Sequence, residues 1–160
     1  MHTDQLPCEL PAGVLQESDF AYVVRCAPLV CIDLVIRDPS RRVLVGLRQN
    51  EPAKGWFFVP GGRIRKGEKI EDALARILLA ETGCETPGRG RFLGAFQHFY
   101  AANHFGIIGF GTHCIALAYE IDLPNAGVVP DKQHSSFKWL TEDEMISAGD
   151  VHDNTKMYFS

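Results

Sequence analysis

Basic clusters are almost absent from this chain. No run of Lys or Arg exceeds the pair Arg41-Arg42, and 16 basic residues against 20 acidic ones leave a formal net charge of -4. Binding to a nucleic-acid backbone draws on a basic face, so that partner class is excluded. Paired cysteine signals are missing too. The five cysteines (Cys8, Cys26, Cys31, Cys84, Cys114) are odd in number and never spaced CxxC, which argues against a disulfide framework and a zinc site and fits a reducing cytoplasm. No stretch approaches the ~20 apolar residues of a membrane span. Met1 to Gln16 carries neither the basic n-region nor the apolar run of a signal peptide. A soluble, cytoplasmic protein without membrane contact is expected.

What is present is ordinary globular material: 160 residues, 46% hydrophobic and 22% charged, enough for one domain with one core. The first 16 residues, with two prolines and little periodicity, read as a weakly ordered extension, leaving residues 17–160 as the domain. A short helix is expected from Glu17 to Arg25. Leu29 to Ile36 is an apolar strand broken only by Asp33. Asp38-Pro39-Ser40 turns the chain into a second strand, Val43 to Arg48, as a hairpin. Trp56 to Val59 is a third strand, stopped at Pro60-Gly61-Gly62. Phe92 to Tyr100, Thr112 to Ile121 and Ser136 to Leu140 follow as strands, the last after a polar loop from Leu123 to His134. The clearest helix is Lys69 to Thr82, where Ile70, Ala73, Leu74, Ile77 and Leu78 hold helical spacing and Gly83 is placed to stop it. Thr141 to Glu144 has capping-box form, and a last short helix follows Asp153-Asn154. Frequent hairpins and fewer helices predict an α+β class with a mixed sheet and helices on its faces.

One carboxylate stands out on that helix. Glu81 falls in line with Ile70, Leu74 and Ile77, so it borders the core-facing stripe, and it lies in the last turn, where the helix dipole disfavours negative charge. It wants a cation: either an arginine such as Arg76 or Arg63, or Mg²⁺, which prefers carboxylate and carbonyl oxygens. Just upstream, Gly61-Gly62 ends a strand facing the helix, where glycines let backbone approach a metal or phosphate. His134 sits in a Pro/Gly loop with an intrinsic pKa near neutrality, which suits either a surface position or a general base.

From Gly62 the sequence G-RIRKG-E-KIEDALA-R-ILLAE-T-G resembles the Nudix box, G-x5-E-x7-R-E-U-x-E-E-x-G-U. Gly62, Glu68, Arg76, Glu81 and Gly83 hold their places, with Leu78 and Cys84 at apolar positions. Ile77 and Ala80 replace two of the box's acids, which leaves Glu81 alone where other members bind several metal ions. That pattern, together with Gln97-His98-Phe99-Tyr100 and Pro130-Asp131-x-Gln133-His134, resembles the GDP-mannose mannosyl hydrolase branch.

The resemblance implies a Nudix-like α/β/α sandwich, one Mg²⁺ per subunit, a homodimer, and hydrolysis of GDP-mannose or GDP-glucose at the sugar C–O bond with inversion. It assigns the metal to Gly61 (through its carbonyl), Glu81 and Gln133, and the base to His134. Arg48, Arg63 and Arg76 would handle the leaving diphosphate, for which the planar guanidinium fork is suited; Arg76 can instead pair with Glu68. Asp33 and His98 match positions near the sugar and base. Asp33 is expected to have a fixed partner, because an unpaired buried acid is costly. Cys114 stands where the family offers a tyrosine to the leaving group, a contact expected to be either lost or replaced by Tyr100 or a lysine. His104 and His113 are expected to be surface or structural residues. The competing readings are a Nudix pyrophosphatase that attacks phosphorus and a silent module that binds a nucleotide sugar.

Overall fold

The computed structural model describes residues 13–85, 90–123 and 134–160, excepting the side chains of 134 and 135. The expected extension therefore falls largely outside the described residues, as do Gln133 and most of the loop that precedes it. Among the described residues, seven strands form one mixed sheet: β1 (Leu29–Arg37), β2 (Val43–Arg48), β3 (Phe57–Phe58), β4 (Gly61–Arg63), β5 (Arg91–Tyr100), β6 (Thr112–Asp122) and β7 (His134–Leu140). The main path runs β3-β2-β1-β6-β5, with β4 added to β1 and β7 to β2. β1 runs parallel to β6 from Leu29↔Cys114 to Arg37↔Asp122. Every β1 side chain from Ile32 to Arg37 is buried, which explains a run apolar on both faces rather than alternating.

The hairpin expected between β1 and β2 needs correction. The turn forms, with the Arg42 amide donating to Asp38 Oδ1 at 2.8 Å, but the ladder holds only at Arg37↔Val43. The strands then separate. β2 pairs with β7 from Val43↔Leu140 to Arg48↔His134. The vacated edge of β1 is taken by β4, at Cys31↔Arg63, Ile32↔Gly62 and Asp33↔Gly61. This opening in the sheet creates the space for a site.

Among the described residues, four helices pack around it. α1 spans Glu17–Cys26 and α2 spans Ile70–Thr82. α2 ends at Gly83, whose φ of 71° is the left-handed cap that glycine adopts freely. Its buried face (Ala73, Leu74, Ile77, Leu78) packs on Ile32, Leu34, Ile36 and Leu44. A second cluster joins Val35, Val43, Val45 and Phe57 to Val59 with Met145 of α3 (Glu142–Ser147) and Val151. The capping box of α3 is complete: Glu144 N donates to Thr141 Oγ1 at 3.2 Å, and Thr141 N donates to Glu144 Oε2 at 2.8 Å. α4 (Asp153–Lys156) runs into a 3-10 turn at Met157–Phe159. At the far end of the sheet, buried Glu120 accepts from Arg37 Nε at 2.6 Å and from Arg91 at 2.9 Å. Among the described residues, no helix is long and apolar enough to cross a membrane.

Candidate active site

Where β1 and β2 part, a cavity of about 470 Å³ opens beside β4, within the size range of small-molecule sites. It draws residues from every layer. β1 gives Cys31 and Asp33, β2 gives Arg48, β4 gives Gly61 to Arg63, α2 gives Arg76, Ile77, Ala80 and Glu81, and the far strands give His98, Tyr100, Cys114 and Ala116. Of the residues that the sequence singles out for chemistry, Asp33, Arg48, Gly61, Arg63, Arg76, Glu81, His98 and Tyr100 therefore meet around one space. His104 is exposed, as a surface residue should be, and it also borders this space. Gln133 and the His134 side chain lie outside the described residues. The His134 backbone pairs with Arg48 at the start of β7.

Two glycines keep the wall thin. A Cβ at Gly62 would stand 3.2 Å from Ile77, so α2 lies directly on this strand. A Cβ at Gly61 would meet Asp33 Oδ1 at 2.4 Å and the Ile32 carbonyl oxygen at 2.7 Å. Glu81 is one helical turn past Ile77 and only 4% exposed, so the last turn of α2 carries it to the same cavity that Gly61 borders. Across the sheet, Asp33 on β1 and His98 on β5 sit on strands that flank β6. The β6 residues between them are small: Ala118 pairs with Asp33, and Ala116 is fully buried.

The electrostatics separate these groups. Burial pushes the Asp33 carboxyl up to about 6, against the opposing effects of a hydrogen bond from Tyr158 and the charge of Arg48. Burial pushes His98 down to about 4, assisted by His152, so its ring is neutral at pH 7. Burial also raises the Tyr100 phenol, which stays protonated. Glu68 is held down at about 2 by hydrogen bonds from Arg76, whose guanidinium bonds both Glu68 oxygens, at 2.6 and 2.8 Å, and the Arg63 carbonyl at 3.0 Å. Arg76 thus braces the loop between β4 and α2. Arg63 lies over the Phe20 ring of α1, 4.6 Å from its centroid. The Arg48 Nε is buried and makes no hydrogen bond among the described residues, which leaves it a donor for an anion.

Hard oxygen donors are present, but sparse. Among the described residues no group of three or more His, Cys, Asp or Glu side chains is placed to hold an ion. Glu81 and the Gly61 carbonyl have the chemistry that Mg²⁺ prefers, and Mg²⁺ is commonly held by one or two carboxylates plus substrate phosphates. The donor set fits one such ion and not a multi-metal cluster. The partner required by Asp33 is Tyr158, whose hydroxyl donates to Asp33 Oδ2. Sequence reasoning missed it. Its signal was the polar handle that a tyrosine carries on an apolar ring.

The profile of the NUDIX domain matches residues 28–159. A low-salt glycan biosynthesis protein, Agl8, of Haloferax volcanii is 39% identical over 128 residues, covering 80% of each chain. An ADP-ribose pyrophosphatase of Methanocaldococcus jannaschii is 39% identical over 56 residues, 35% of this chain and 32% of its own. Among solved structures, a MutT NUDIX hydrolase from Burkholderia pseudomallei superposes with a TM-score of 0.68 at 23% identity, covering 82% of this chain and 95% of that one. The NUDIX domain of Shewanella oneidensis NrtR, solved with ADP ribose, gives 0.63 at 18% identity, covering 91% and 96%.

Proposed function

The chain belongs to the NUDIX domain family, and on that premise we propose that it is a Mg²⁺-dependent hydrolase that cleaves a nucleoside diphosphate sugar at the anomeric C–O bond. GDP-mannose is the proposed substrate, with GDP-glucose as the alternative sugar donor. One observation carries the reading: the cavity face of α2 is nearly stripped of acids. Ile77 packs against Gly62, Ala80 is a methyl group on the wall, and Glu81 is the carboxylate that remains. Such a face suits one ion on a leaving diphosphate better than a cluster that activates water against phosphorus. The 39% identity to a protein named for glycan biosynthesis agrees with a sugar-nucleotide substrate.

Glu81, the Gly61 carbonyl and Gln133 would hold the Mg²⁺, which when bound withdraws charge from the diphosphate. Arg48, through its buried Nε that makes no hydrogen bond among the described residues, pairs with phosphate oxygens. His134, which starts β7 opposite Arg48, takes a proton from water as the oxygen attacks C1 and the C1–O bond breaks. GDP and a sugar of inverted configuration are released. A diphosphate so held is a good leaving group, so one base suffices where ordinary glycosidases need two carboxyl groups. Asp33 and His98 border the sugar, and Tyr100 offers a neutral hydroxyl near Cys114.

Attack on phosphorus is the second reading, and the partial match to an ADP-ribose pyrophosphatase favours it. Hydrolysis in oxygen-18 water separates the two. GDP-mannose with Mg²⁺ is expected to give unlabelled GDP and labelled mannose, released as the β anomer and read by NMR before it equilibrates. Labelled GMP or labelled sugar phosphate overturns C–O cleavage. Binding with no product from any GDP-hexose points instead to a silent binding module.

A further inference from the structure

Tyr158 stands directly behind the cavity wall. The 3-10 turn brings its ring edge-on to Phe96, with centroids 4.8 Å apart and planes at 81°. Its hydroxyl falls between two side chains that do line the cavity, donating to Asp33 Oδ2 and meeting His98 Nε2 at 3.2 Å. A phenol has one proton. Burial and the neighbouring carboxylate raise the Tyr158 pKa far above its ordinary value, so the proton stays on the oxygen and is directed to Asp33. The imidazole nitrogen that faces the same oxygen must then be the donor, and Nε2 carries hydrogen.

The other neutral tautomer fails on geometry. Nδ1–H would have to reach Asp33 Oδ2 at 3.8 Å, beyond hydrogen-bond range, while the Nε2 lone pair would face the lone pairs of the phenol. A doubly protonated ring is disfavoured by its burial. With Nε2 committed to Tyr158, Nδ1 is left as an acceptor on a ring that lines the cavity.

We propose that Tyr158 is a positioning residue that fixes His98 as the Nε2–H tautomer, so that His98 offers the site an acceptor for a ligand hydroxyl. The tautomer follows from the contacts and the burial of these groups, whatever the ligand. The identity of the donor as a sugar hydroxyl rests on the function proposed above. An acceptor there discriminates: it receives a hydroxyl and repels phosphate or carbonyl oxygens, which have no proton to give. It also gives the chain's last turn a role in substrate choice at a distance from the ligand.

Long-range proton–nitrogen correlation on protein labelled with ¹⁵N-histidine tests this without any turnover. The His98 signals, assigned by their absence in His98→Gln, are expected to show a protonated Nε2 and a bare Nδ1 at pH 7. Tyr158→Phe removes only the hydroxyl and keeps the ring against Phe96, and the single-tautomer pattern should give way to a mixture. In the same variant kcat/KM for GDP-mannose should fall by up to about tenfold, the upper end for a hydrogen bond between neutral groups, while GDP binding holds. A wild-type spectrum with hydrogen on Nδ1 overturns the proposal, and it does so even if Tyr158→Phe fails to fold. An unchanged tautomer in the variant overturns it as well. If the tautomer shifts as expected but no nucleotide sugar is hydrolysed, the positioning role is upheld and only the reading of the reaction falls.

Discussion

Replacing Gly61 by alanine puts a methyl carbon 2.4 Å from Asp33 Oδ1 and 2.7 Å from the Ile32 carbonyl oxygen, where ordinary contact begins at 3.4 Å. Relief at the carboxylate alone requires a movement of about 1 Å. Neither neighbour yields readily. Asp33 is held by Tyr158, and Ile32 is fixed in ladders to both β4 and β6. Overpacking of this kind costs about 1–3 kcal/mol, and the backbone contact puts Gly61→Ala toward the upper end. A displacement of about 1 Å at a reacting site costs on the order of 10²-fold in rate. Urea unfolding and GDP release from GDP-mannose measure the two effects separately. Gly149→Ala is the control, because its Cβ would meet nothing within 4 Å, and it should change stability by less than about 0.5 kcal/mol. If Gly61→Ala matches that control in both assays, the claim that this wall has no room for a side chain at Gly61 is wrong.

Glu81→Gln should weaken Mg²⁺ binding, measured by titration calorimetry with GDP present, and slow turnover sharply while the fold survives; full affinity for Mg²⁺ would remove Glu81 from the ligand set. His134→Gln should bind GDP and Mg²⁺ normally yet lose roughly 10²–10⁴-fold in kcat, the usual worth of a positioned general base, and an unaltered kcat would move the base elsewhere. At the other end of the sheet, burial alone would raise Glu120, but hydrogen bonds from Arg37 and Arg91 override it and hold the carboxyl at about 2, against 4.5 for the free group. A depressed carboxylate stabilises the fold above its unfolded pKa, and that contribution disappears as pH falls from about 4.5 to about 2. The difference corresponds to about 3 kcal/mol. Chemical denaturation across that range should show the decline, and Glu120→Gln should flatten it.

Local signals were legible before the coordinates. The apolar spacing of Ala73, Leu74, Ile77 and Leu78, the stop at Gly83 and the capping box at Thr141 depend on residues within a turn or two of one another. The stretch from Gly61 to Glu81 was legible for the same reason, since box residues close in sequence are brought together by one strand and one helix. Pairing over long separations was not. Turn chemistry at Asp38 predicted a hairpin, and nothing near Val43 indicates that β2 leaves β1 after one pair to join β7. Tyr158 reaches Asp33 across 125 positions, so neither residue carries a mark of the other. His104 is exposed yet borders the cavity, a placement set by tertiary packing that its neighbours in sequence do not encode.

The parting of β1 from β2 has a consequence for how the protein is made. The opening exists only once β1 has found its parallel partner β6 and β2 has found β7, and the contact behind its wall waits for Tyr158, 125 positions after Asp33. Long-range pairings of this kind form late and slowly in folding. A nascent chain that has not yet delivered Tyr158 therefore has the box residues in sequence but no finished cavity in space. Ligand that binds the finished cavity selects the fully folded state over every partly folded one, and it stabilises that state in proportion to the logarithm of its concentration. Proteolysis during or just after synthesis would thus respond to ligand supply, and a protein that meets its ligand early would be spared sooner than one that does not.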